Sequence, residues 1–61
     1  MKDETIEKAK KATKMAEKLG DMILKIYEEI DVESDTEAKY NAKASLKNIQ
    51  QIYADLKAIY E

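Results

Sequence analysis

Cysteine, histidine, proline, arginine, phenylalanine and tryptophan are all missing from this chain of 61 residues, and glycine occurs once. Without cysteine no disulfide can staple a small fold, and without cysteine and histidine the usual zinc ligand sets cannot be built. The same absences remove Ser-His, Cys-His and zinc-water machinery, so no residue is read as catalytic and the chain is read as a non-enzyme. A di-iron bundle site is excluded as well, because its Glu-x-x-His motif needs histidine. No cofactor and no metal is expected. No apolar run approaches the ~20 residues of a membrane span. The opening stretch Met-Lys-Asp-Glu-Thr-Ile-Glu-Lys has no apolar core of the signal-peptide kind. A cytoplasmic location without a membrane partner is the expectation. So reduced an alphabet is found in natural and engineered helical proteins alike.

What is present is helix-forming and charged. With no proline, little interrupts a helix. Charged residues make up 39% of the chain, and 11 lysines nearly balance 13 acids, so the net charge of −2 disfavours a general nucleic-acid binder. Acid-first pairs four residues apart, Glu4 with Lys8, Glu7 with Lys11 and Asp21 with Lys25, each add a few tenths of a kcal/mol to a helix.

Apolar residues recur in two registers that step alternately by threes and fours. One runs Ala9, Ala12, Ala16, Leu19, Ile23, Ile26, Ile30. The other runs Ala38, Ala42, Ser45, Ile49, Ile52, Leu56, Ile59. That spacing places each set on one stripe of a helix built to pack lengthwise on another. Continuing the first register past Ile30 predicts core positions at Glu37 and Ala44, whereas the second register holds Ala42 and Ile49. The stripe slips by two residues across Asp31–Thr36, a run of poor helix formers. The chain is therefore expected to turn there.

These readings give one all-α domain over 1–61: helix 1 over about 3–30 with Asp3 as its N-cap, a turn over about 31–34, and helix 2 over about 35–60. Ser34 and Glu37 have the spacing of a capping box for the second helix. The alternative is a monomeric three-helix bundle with a break at Gly20, where Leu19-Gly20-Asp21 has the form of a C-cap followed by an N-cap. The three–four rhythm runs through Gly20 undisturbed, which favours two helices of matching length.

Residue size fixes the pairing. Both stripes are small early and large late, so an antiparallel hairpin sets Ala9 level with Leu56, Ala16 with Ile49, Ile23 with Ala42 and Ile26 with Ala38. Each small residue then meets a large one. Ile6, Met15, Met22, Tyr27, Leu46, Tyr53 and Tyr60 widen the apolar face beyond what a two-helix seam needs. A chain this short buries only about 60% of its unfolded surface, so a lone helix pair is marginal and self-association is the cheapest remedy. The expected core and oligomer interface comprises Ala9, Ala12, Ala16, Leu19, Ile23, Ile26, Ile30, Ala42, Leu46, Ile49, Ile52, Tyr53, Leu56 and Ile59. Two such hairpins would form a homodimeric four-helix bundle. In length and layout the chain resembles the ROP-type plasmid regulators, short helical hairpins that dimerise into four-helix bundles. The resemblance rests on layout, and no functional residue is carried over from it.

Two charge features compete with a purely structural role. Asp31, Glu33, Asp35 and Glu37 alternate like the early ligands of a calcium loop. The match fails where Thr36 takes the glycine position and Ala42 the bidentate glutamate position. Asp35 and Glu37 suit the positive N-terminus of helix 2 instead. Lys8, Lys10, Lys11, Lys14, Lys18 and Lys25 make helix 1 locally basic, and Lys11, Lys14 and Lys18 are the candidate contacts of a small regulator that binds RNA or DNA. Interleaved Glu7, Glu17 and Asp21 weaken that field. The favoured expectation is a structural or protein-interaction module whose partner is itself, with another helical protein as the next choice.

Overall fold

The computed structural model describes all residues, 1–61, as two antiparallel helices: α1 (Asp3–Glu29) and α2 (Thr36–Tyr60). No helix is long and apolar enough to cross a membrane. Gly20 lies inside α1 with helical hydrogen bonding on both sides, so the three-helix alternative is excluded. Helix continuity is affordable there because one glycine costs only about 1 kcal/mol relative to alanine, which tertiary packing readily offsets.

Both helix starts differ from the expected caps. Lys2, in extended conformation, precedes α1 with no side-chain cap, and its carbonyl accepts the amides of Thr5 and Ile6 at 3.1 Å. Asp3 is the first helical residue, where its charge still favours the positive helix end. At α2 the cap is Asp35, whose Oδ1 accepts the Ala38 amide at 3.2 Å. Ser34 is held in the preceding turn, so its capping box with Glu37 does not form. The local reason is a set of bonds that winds the turn tightly up to Asp35. The Asp31 carboxylate accepts the Glu33 amide at 2.9 Å, the Asp31 carbonyl accepts the Asp35 amide at 2.9 Å, and the Thr36 hydroxyl donates to the Val32 carbonyl at 2.8 Å.

The hairpin is a rod. Its principal extents are 49 × 14 × 12 Å and its radius of gyration is 14.5 Å. A compact chain of this length would have a radius near ~10.5 Å. Only Ala9, Thr13, Ala16, Ala42 and Ile49 are buried, and none of them completely.

The seam between the helices is legible in heptad terms, with position a at Ala9, Ala16, Ile23 and Ile30 in α1 and at Ala42, Ile49 and Leu56 in α2. The residues joining them in the seam follow each a position by four, at position e: Thr13, Gly20 and Tyr27 in α1, and Leu46, Tyr53 and Tyr60 in α2. All of these are buried or half-buried. The sequence registers instead paired a with the residue three on, at position d. Moving from an a/d to an a/e seam turns each helix by about 50° at 100° per residue. Close approach explains the choice: turning this way sets Gly20 against Ile49 and lets Tyr27, Leu46, Tyr53 and Tyr60 span the seam.

Small residues make the close approach possible. A Cβ placed on Gly20 would sit 3.6 Å from Ile49 Cγ2, so the Ile49 side chain packs directly on the α1 backbone. Thr13 is polar but costs the seam nothing, because its hydroxyl donates to the Ala9 carbonyl at 2.8 Å. No buried side-chain nitrogen or oxygen lacks a hydrogen-bond partner.

Candidate functional site

Removing the a and e positions into the seam leaves the d positions outside it. In an antiparallel pair both chain direction and rotation sense reverse, so the d residues of the two helices emerge on the same side. The b residues emerge together on the opposite side. The opposite side confirms this geometry: Glu17 and Leu24 from α1 and Gln50 from α2, all at b, line one shallow groove beside Gly20 and Ile49. At about 240 Å³ that groove falls below the ~300 Å³ at which small-molecule pockets begin.

The d side is therefore a single face to which both helices contribute. Leu19 and Ile26 from α1 and Ile52 and Ile59 from α2 form its centre, with Met15 and Met22 along the α1 rim. These six side chains are between 44% and 65% exposed. Ala12 and Ala38 are half-buried at its edge, and Ser45 is exposed between Ile52 and the turn. Along the rim beyond the methionines stand Lys8 at one end and Glu29 at the other. On the α2 rim stand Asn41, Asn48 and Asp55, all exposed.

The residues expected to form core and interface thus divide between two places. Ala9, Ala16, Ala42 and Ile49 are buried in the seam, and Ile23, Ile30, Leu46, Tyr53 and Leu56 are half-buried along it. Leu19, Ile26, Ile52 and Ile59 lie on the open face, and Ala12 at its border.

Lys39 is a working residue that the sequence reading passed over. Its ammonium donates to the Tyr27 carbonyl at 2.6 Å and the Ile30 carbonyl at 3.1 Å, and lies 4.0 Å from the centre of the Tyr27 ring. The last turn of α1 holds no basic residue of its own. Lys39 supplies the missing charge from across the seam, satisfying carbonyls at the negative helix end. Its signal in the sequence was its heptad place: it precedes Ala42 by three and Leu46 by seven, which puts it in the a/e seam. Two further lysines lie over tyrosine rings, Lys10 on Tyr60 at 5.9 Å and Lys57 on Tyr53 at 5.3 Å. Hydrogen bonding to the Glu61 carboxylate, with the attraction of that charge, raises the Lys57 ammonium above its ordinary range.

Lys11, Lys14 and Lys18 are all exposed on the outer surface of α1. Lys8, Lys10, Lys11 and Lys14 gather round one surface depression together with Glu7, and Lys18 lies outside it. The acidic turn does not converge: no group of three or more acids comes close enough to hold a metal ion. Compared with protein-family models, curated proteins and solved structures, the chain matches none.

Proposed function

We propose that this hairpin is a helical interaction module whose open d face docks on another helical surface, in the first place a second copy, to give a homodimeric four-helix bundle. The observation that carries this is the surface left uncovered. The chain exposes 5045 Å², whereas a compact monomer of its mass exposes about 4,000 Å². The difference, about 1,000 Å², is enough for the ~800 Å² that each partner contributes to an interface of standard size. The excess includes a continuous apolar strip, of the kind that marks an association site rather than an ordinary surface.

Sedimentation equilibrium at micromolar concentration tests the reading. A species of twice the 7.0 kDa chain mass is expected. A monomer throughout the accessible range removes the dimer.

A second reading draws on the lysines around the α1 depression. In it the hairpin regulates RNA or DNA, with Lys11, Lys14 and Lys18 on the phosphates. Lysine without arginine gives point charges and no forked contacts, and Glu7 sits within the cluster. This reading requires affinity for RNA or DNA that falls steeply with salt, and a flatter slope when the three lysines are neutralised. Absence of a mobility shift at low salt removes it.

A further inference from the structure

We infer that the second copy docks with its turn at the opposite end of the bundle, about a two-fold axis that crosses the rod at the level of Leu19 and Asn48. This rests on the dimer proposed above and adds its orientation. Two kinds of two-fold axis bring the d faces together. An axis along the rod puts both turns at one end and lays α1 on the partner's α2. An axis across the rod puts the turns at opposite ends, laying α1 on the partner's α1 and α2 on the partner's α2.

The rim and centre residues favour the second. Antiparallel α1 helices centred beside Leu19 set Ala12 against the partner's Ile26 and Met15 against the partner's Met22. At the ends Lys8 meets the partner's Glu29. Antiparallel α2 helices centred on Asn48 set Ala38 against the partner's Ile59, Ser45 against the partner's Ile52, and Asn41 against the partner's Asp55. Small meets large at the Ala12, Ala38 and Ser45 levels, Leu19 meets its own counterpart at the axis, and each charge faces an opposite charge or an amide. The two centres come from different helices, yet the fold places them side by side. Gly20, next to Leu19, lies against Ile49, next to Asn48, within 3.6 Å of a Cβ position. One axis therefore serves both helix pairs.

The other arrangement also meets small with large, since Ile26 falls near the partner's Ala38 and Ser45, but its rims and ends agree less well. It would lay Met15 and Met22 along the rim that carries Asn41, Asn48 and Asp55. It would also bring together two acidic turns, each with six carboxylates from Glu28 to Glu37 and no lysine between Lys25 and Lys39. With the turns apart, each acidic end lies beside the partner's lysine cluster around Lys8 and Lys11.

The chain has no cysteine, so Ser34→Cys creates a single labelling site in the exposed turn. Dipolar spectroscopy of the nitroxide-labelled 61-residue chain should give a separation near 40 Å, because each turn stands about 20 Å from the axis at 1.5 Å per residue. A separation under about 20 Å, two helix-packing spacings, overturns the orientation while leaving the dimer in place. A monomer by sedimentation with no dipolar signal overturns both. A charge exchange provides an independent readout. Lys8→Glu should weaken association about fivefold, and adding Glu29→Lys should restore it. The two residues lie about 32 Å apart along α1, so the rescue cannot arise within one chain. Loss of affinity without rescue overturns the orientation.

Discussion

Thr13, Gly20 and Tyr27 follow the a positions of α1 by four residues; Ala12, Leu19 and Ile26 follow them by three. The two sets are neighbours on the same helix, and by apolar content alone the second is the better core. Yet the first set is inside and the second is outside, and α2 divides in the same way, with Leu46, Tyr53 and Tyr60 against Ser45, Ile52 and Ile59. Inside a two-helix seam the useful residues are those that let backbones approach or that span the gap. Gly20 does the first for Ile49, and Tyr27 with Lys39 does the second. Branched aliphatic residues on the other flank are then free to serve a second surface. One flank makes the hairpin, and the other is available to join hairpins.

Substitutions on the two flanks should therefore separate folding from association. Ile49→Ala removes the largest buried side chain of the seam and should cost about 2–4 kcal/mol, read as a lower urea midpoint. Ala16→Leu, beside Ile49 in the same seam, should cost roughly 1–3 kcal/mol by overpacking, and combining the two should recover part of the loss. Next in size, Lys39→Met keeps the side-chain length but abandons two helix-end carbonyls and the Tyr27 ring. About 1–2 kcal/mol should be lost in the same measurement. Gly20→Ala sharpens the comparison from the other direction. Its new methyl meets Ile49 at ordinary contact distance, 3.6 Å, so helix propensity should prevail, with a gain of about 0.5–1 kcal/mol. The smallest effect on the single chain belongs to Ile52→Ser, on the open flank. It should change hairpin stability by no more than about 0.5 kcal/mol when measured at a concentration where chains are monomeric.

The heptad rhythm made the two-helix hairpin legible, and the phase slip after Ile30 located the turn. Both signals are collective, carried by many residues, and so survive local ambiguity. The a positions were legible too, because Ala9, Ala16, Ala42 and Ile49 belong to the seam whichever flank turns inward. The inward flank was not legible. Both flanks are apolar, and a difference of about 50° in helix rotation separates them. Thr13 and Lys39 were hidden for a related reason: each is polar, and each is accommodated only by a carbonyl that the fold brings within reach. The cap of α2 lies one position beyond the Ser34 that the spacing suggests, because Ser34 and Asp35 are both good caps and the bonds from Asp31 wind the turn up to Asp35.

Leu19→Gln tests the division between flanks most directly. Glutamine is nearly as good a helix former as leucine, and Leu19 is 47% exposed on the hairpin, so the fold has little reason to change. Sedimentation equilibrium and circular dichroism would be recorded together on both proteins. The account predicts twice the 7.0 kDa chain mass for the original sequence, a shift toward single-chain mass for Leu19→Gln, and unchanged helicity. An original sequence that is monomeric throughout, or a variant that loses helicity in step with mass, would contradict it.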